Sequence, residues 1–356
     1  MQLLLGVVQN YEWGDRYALP KFLGVAPDSK PWAEVWFGTH RGGPSQISTS
    51  SDRGGPSQIS TSSGQQTLES DAGALSFLVK VIAAAKPLSL QTHPTDEQAR
   101  AGFAKENAQR IALDDPERLY RDISAKPELL IAITEFEAIC GFRSDKENLK
   151  MCEQYEWHEL AKHLRDDGLA QCVRWALTSG PKTLPDKMPY WAMQLADLYP
   201  SSGGVLVALL MHHVRIRPGD ALYLGAGNVH AYLRGEGVEV MSSSDNVLRA
   251  AFTQKHADIE EFLNIADLSP IAKPLCAATR IDDCTSQYLV GTQDFGTQRI
   301  EVSGQYTVTA THDIEILICI TGDAGAIKRG QAGVIKRGET LQLSGDATVF
   351  KTWGKS

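Results

Sequence analysis

The sequence has no apolar run approaching the ~20 residues a helix needs to cross a bilayer, no cluster of lysine and arginine, and no Cys-x-x-Cys pair. The first absence argues against a membrane partner. The second, with a formal net charge of -8, argues against nucleic acid, because a phosphate backbone requires a basic footprint. The third leaves six scattered cysteines, Cys140, Cys152, Cys172, Cys276, Cys284 and Cys319. Scattered thiols suit a reducing cytoplasm better than a disulfide framework. A complete dinucleotide fingerprint is also missing. Gly225-Ala-Gly227 has no third glycine, and strand-like residues follow where that loop needs a helix. His158 and His163 stand five apart, ~140° round a helix, whereas a zincin pair is spaced by four. Adjacent His212 and His213 would face opposite sides of a strand. Surface or core roles are expected for these four histidines.

What is present is a chain of 356 residues, 42% hydrophobic and 22% charged, close to soluble globular averages and long enough for more than one domain. Met1 to Gln9 reads as a first β-strand rather than an export signal: it has no basic lead, and Asn10-Tyr-Glu-Trp-Gly-Asp15 follows at once. A twelve-residue unit beginning at Arg41 recurs from Arg53 to Ser63, and a shorter echo links Ala324–Gln331 to Ala332–Glu339. The first reads as a duplication within a surface loop; neither repeat suggests a function.

Leu75 to Ala83 and Pro87 to His93 predict strands, and Thr95-Asp-Glu-Gln98 resembles a capping box opening a helix to about Gln109. Lys126 to Cys140 reads as one strand-like apolar run. Lys146 to Asp166, Ala170 to Thr178 and Met188 to Leu198 carry helix-spaced apolar residues. Strands are expected to return at Val205 to Met211, Val214 to Arg217 and Ala221 to Leu224, with a helix at Ala257 to Leu263. From Ile271 onward, short strands punctuated by glycine predict a smaller β domain. Many short strands with a helical insert predict a barrel or jelly roll with α elements.

The chemistry concentrates in three places. Gln91 and His93 are two apart, so on a strand both address one point, and an amide oxygen with an imidazole nitrogen can form half of a zinc site. Glu128 opens an apolar strand, and His230 follows a Pro-Gly-Asp turn and a strand; both could complete the shell. Arg249 and Lys255 lie in Met241-Ser-Ser-Ser-Asp-Asn-Val-Leu-Arg-Ala-Ala-Phe-Thr-Gln-Lys255, where they could bind phosphate or stabilise an enediolate.

In these stretches the sequence resembles the type I mannose-6-phosphate isomerase (phosphomannose isomerase) family of cupin-type zinc enzymes. The resemblance rests on QNYEWG (9–14), PWAEVWFGTH (31–40), FLVKV and KPLSLQTHP within 77–94, KPELLIAITEFEAICGFR (126–143) and HAYLRGEGVEVMSSSDNVLRAAFTQK (230–255). It implies a mainly β chain of cupin-type jelly-roll (double-stranded β-helix) domains plus a helical domain. Residues 1–143 and 204–270 would form the catalytic cupin domain, 144–203 a helical insertion and 271–356 a C-terminal cupin-like domain. It implies one Zn²⁺ per chain held by Gln91, His93, Glu128 and His230, with Arg249 catalytic and Glu239 the candidate base. Lys80, Ser89, Lys126, Tyr232, Asp245 and Lys255 match positions that line the family's pocket. The implied reaction interconverts mannose 6-phosphate and fructose 6-phosphate through a cis-enediol, with a sugar phosphate as partner and the chain a monomer or weak homo-oligomer. Three neutral ligands and one carboxylate leave a zinc site net positive, as stabilising oxyanion charge requires.

Departures from the family pattern fall on loops: the duplicated unit after Gly43, the Gly225-Ala-Gly-Asn-Val lead into His230, Phe252 in place of leucine, and Gln254 in place of proline. The alternatives are a zinc isomerase of another sugar or sugar phosphate and a non-catalytic carbohydrate-binding cupin. An iron redox cupin is disfavoured by the amide ligand Gln91.

Overall fold

A computed structural model describes residues 1–48, 66–180, 183–272 and 274–354. The second copy of the duplicated loop unit, from Arg53, lies outside these residues. The chain is mainly β, and among the described residues it forms an 11-stranded and an 8-stranded sheet.

The 11-stranded sheet carries the pocket. Its centre is Phe77–Ala84, an apolar strand buried at every position and flanked by Glu34–Gly38 and His230–Ser242. Alternation sorts the side chains. Val35, Phe37, Val79, Val81, Leu129, Ile131, Val238 and Val240 enter one core shared with Ile316, Ile318 and Phe350 of the other sheet. The intervening residues point into the barrel, and these include Glu34, Lys80, Glu128 and Glu239, all buried. Four ionisable groups on the inner face of apolar strands mark the interior as a site, because buried charges need partners.

His230–Ser242 is the strand that joins the two halves of this barrel. Its first residues pair with Leu90–Thr92 and Phe136–Phe142, and from Gly235 it pairs with Phe77–Ala84 and Glu128–Ala132. Gly235 makes the change of direction. Its φ is 125°, and a Cβ there would lie 2.7 Å from the Phe136 ring and 2.8 Å from the Glu135 carbonyl.

The helix after Gln91-Thr-His93 runs over Asp96–Ala108 with the expected capping box, Thr95 and Gln98 bonding reciprocally. Other expectations need correction. Lys126 to Cys140 is two strands, Glu128–Ala132 and Phe136–Phe142, parted by the polar turn at Thr134 and Glu135. Val205 to Met211 is not a strand: Gly203–Ala208 is a buried helix whose start is capped by Ser202. A short run apolar on all sides has no periodicity to tell the two apart. Helices also run over Asp145–Gln154, His158–Thr178 and Tyr190–Leu198, and they pack with Gly203–Ala208 around Leu160, Val173 and Leu195. The later helix is Ile259–Ile265.

The 8-stranded sheet is not built only from short strands. Phe295–Thr309 and Thr340–Gly354 each span 15 residues, because Gly304 and Gly345, which read as turn punctuation, face one another inside the ladder. Met1 to Gln9 is two strands. Gln2–Leu5 pairs with Ala332–Lys336 of the 8-stranded sheet, and Val7–Gln9 pairs with Glu34–Gly38 of the other. None of the described helices is long and apolar enough to cross a membrane.

Candidate metal centre and active site

Three neighbouring strands bring the centre together. Gln91 lies in register with His230 on one side and Arg249 on the other. His93 follows the end of Leu90–Thr92, and Glu128 opens the strand paired with Met241. The Nε2 atoms of His93 and His230 stand 3.4 and 3.5 Å from Oε2 of Glu128, and all three residues are buried. Their ligating atoms lie within 4.8 Å of one another.

The hydrogen bonds around them fix which atoms face inward. Nδ1 of His93 donates to the Asn246 carbonyl at 2.7 Å, and Nδ1 of His230 donates to the Asn228 carbonyl at 3.1 Å. A carbonyl can only accept, so each imidazole turns its Nε2 lone pair toward Glu128. His93 Nε2 and Glu128 Oε2 are buried without a hydrogen-bond partner. Buried polar atoms are ordinarily satisfied, and converging lone pairs on two imidazoles and a carboxylate are satisfied together by a cation. Zinc fits this donor set. Protonation favours it too. Burial lowers the His93 pKa to about 4, so the ring is neutral, as a ligand must be. Burial pushes Glu128 upward, but Lys126, His93 and His230 outweigh it and hold the carboxyl well below its ordinary range. Lys126 Nζ lies 2.9 Å from Glu128 Oε1.

Gln91 stands beside the group with Nε2 3.3 Å from His230 Nε2, while its oxygen accepts from Ser89 at 2.8 Å. The two ends of an amide are nearly isosteric. Turned over, it offers Oε1 to the same point, and Ser89 accepts from Nε2.

Beside the centre runs a chain of ionisable groups. Lys80 Nζ is 3.0 Å from Glu239 and 3.7 Å from Glu34. Tyr232 donates to the other Glu239 oxygen at 2.9 Å, and the Trp36 indole donates to Glu34. Burial works against the Lys80 charge, but Glu239 and Glu34 overcome it and raise its pKa above the usual lysine range. Burial raises Glu34, and Glu239 adds to the shift; burial and Glu239 likewise raise the Tyr232 phenol.

These groups open into a pocket of about 860 Å³. Arg249, Lys255 and Asp245 also line it. Asp245 is held by His40 and Arg41, each at 3.1 Å, while the Lys255 ammonium lies over the Tyr11 ring, 5.6 Å from its centroid. Burial and the neighbouring Arg249 lower the Lys255 pKa. All the candidate residues therefore meet at one place: Lys80, Ser89, Gln91, Lys126, Glu128, Tyr232, Glu239, Asp245, Arg249 and Lys255 line the pocket, with His93 and His230 bonded beside Glu128. The four histidines given surface or core roles lie elsewhere. His163 bonds Asp167, His212 bonds the Ile271 carbonyl, and His213 bonds Glu137; His158 is exposed. Sequence reasoning passed over Glu34, Trp36, Tyr11 and His40, which also line the pocket. Glu34 carried a usable signal, a carboxylate inside an apolar strand.

The match to known proteins follows this geometry. A family model described as "Phosphomannose isomerase type I, catalytic domain" matches residues 1–145. The mannose-6-phosphate isomerase of Salmonella typhimurium is 32% identical over 385 residues, spanning 99% of this chain and 97% of that protein. The Escherichia coli K12 enzyme is 33% identical over 359 residues, 93% of this chain and 91% of its own. The crystal structure of a zinc-bound mannose 6-phosphate isomerase superposes with a TM-score of 0.87 at 28% identity, covering 100% of this chain and 99% of that one.

Proposed function

The chain belongs to the type I phosphomannose isomerase family and interconverts mannose 6-phosphate and fructose 6-phosphate with zinc; we propose that Gln91, His93, Glu128 and His230 hold the ion and that the pocket beside them performs the isomerisation. The observation that carries this assignment is the pair of buried, unpartnered atoms, His93 Nε2 and Glu128 Oε2, aimed at one point on the floor of a cation-lined pocket. Zinc bound there supplies a positive charge that stabilises negative charge developing on substrate oxygens.

The chain's own residues do the rest. Lys255, which has no carboxylate partner among the described ion pairs, anchors the phosphate. Lys80 is less suited to that task, because Glu239 and Glu34 already grip it. Glu239 takes the proton from C2 and returns it to C1, while the O2 hydroxyl proton passes to O1; one carboxylate serves both carbon transfers, since the reaction neither gains nor loses a proton overall. Lys80 and Tyr232 fix its two oxygens. Arg249 offsets the charge on the enediol oxygens, while Ser89 and Lys126 orient Gln91 and Glu128. Asp245 is the acceptor for sugar hydroxyls. We place the enzyme in the cytoplasm as a monomer or weak homo-oligomer, a reading supported by its free cysteines, four of them buried, and its acidic charge. No observation favours another sugar or a non-catalytic role.

The residue roles are tested by Arg249→Ala. Zinc content is expected to stay at the wild-type level while turnover falls by about 10²–10³. Near-normal turnover in that variant removes Arg249 from the mechanism.

A further inference from the structure

Five described non-glycine residues have positive φ: Ser29, Arg110, Glu156, Ser201 and Phe252. Four are exposed, whereas Phe252 is buried and lines the pocket. A left-handed backbone is costly for a bulky side chain, and such strain gathers at functional sites. Phe252 stands immediately after Leu248–Ala251, the strand that presents Arg249. Had that strand run on, Lys255 would lie ~20 Å from Arg249, at ~3.3 Å per residue. Instead the chain bends at Phe252, Lys255 N–H bonds Thr253 Oγ1 at 3.0 Å, and Lys255 lines the same pocket as Arg249, near enough to feel its charge.

What holds the turn comes from the helical segment. The Phe252 ring packs on Tyr199, with centroids 4.9 Å apart at 40°. It also lies against Gly204, where a Cβ would be 3.0 Å from its edge and 2.2 Å from Ala251 Cβ. Tyr199 follows the helix Tyr190–Leu198, and Gly204 lies at the start of Gly203–Ala208. The bare Cα at 204 leaves room for Ala251, the residue before Phe252, and lets the ring edge pack close beside it.

We propose that Phe252 is a positioning residue for phosphate recognition: its ring, clamped by Tyr199 and the bare Cα of Gly204, holds the turn that presents Lys255 beside Arg249. Through this clamp the helical segment sets how tightly the sugar phosphate is gripped. The inference rests on Lys255 being the phosphate anchor.

The test compares Lys255→Ala, Phe252→Ala, Phe252→Tyr and Gly204→Ala by zinc content, steady-state kinetics on mannose 6-phosphate, and competitive inhibition by inorganic phosphate. Phe252→Ala is expected to raise both KM and the phosphate Ki about tenfold, with kcat changed less than about twofold and zinc retained. Phe252→Tyr keeps the ring and restores wild-type values. Gly204→Ala, which leaves Phe252 in place but pushes on Ala251 before it and on the ring edge, shifts KM and Ki in the same direction and carries the test if Phe252→Ala does not fold. Wild-type KM and Ki in Phe252→Ala or Gly204→Ala, alongside raised values in Lys255→Ala, overturn the role of the clamp alone. Wild-type values in Lys255→Ala overturn the anchor and the clamp together.

Discussion

Glu137 shows how a single buried carboxylate on the outer face of the barrel is tied to its neighbours. It is bonded by His213 at 2.6 Å and by Arg215 at 3.1 Å, and is paired with Arg234. Burial alone would raise its pKa, but these partners bring it from 4.5 down to about 2. A folded-state pKa below the unfolded one contributes stability that is complete above the unfolded value and is lost as pH falls through the folded value. Glu137→Gln should therefore lower the denaturant midpoint at neutral pH and flatten its decline between pH 4.5 and 2. Acid limbs that stay parallel in the two proteins contradict this. At the same scale, Gln91 and His93 were legible because a period of two places them together. The carbonyls of Asn246 and Asn228 that orient His93 and His230 were not, since a backbone acceptor leaves no mark in the sequence.

Among the elements, the strand His230–Ser242 has the largest share in the site, supplying His230, Tyr232 and Glu239 to one pocket by pairing with two sets of neighbours in turn. Its dependence on Gly235 is testable. Gly235→Ala forces a side chain onto a φ of 125° and against Phe136, and should cost about 1–3 kcal/mol, read as a fall in Tm. An unchanged Tm would mean the strand does not need that bend. Elements with clear periodicity or capping, such as Asp96–Ala108, were readable from the sequence. Gly203–Ala208 was not, because six consecutive small and apolar residues suit a buried helix or a buried strand equally, and packing decides. The paired glycines at 304 and 345 misled for the opposite reason. Glycine signals a special backbone, and here the special backbone lies within a ladder.

The whole molecule is tied together at its first nine residues, which stitch both sheets, and by the apolar core that the sheets share. The pocket draws on parts far apart in sequence: Trp36 from an early strand, Tyr199 from the helical segment and Lys255 from the stretch after Leu248–Ala251. The motifs pointed to the centre, but the joining of these parts is a property of the fold. The central claim is that one zinc ion on Gln91, His93, Glu128 and His230 makes this pocket an isomerase. The most direct measurement is a coupled assay of mannose 6-phosphate conversion to fructose 6-phosphate before chelation, after it, and after zinc is returned, for the wild type and His93→Ala. Activity should vanish on chelation and return with about one zinc per chain, and His93→Ala should neither retain the ion nor recover. Full turnover in the chelated enzyme, or zinc binding by His93→Ala equal to the wild type, would contradict the claim.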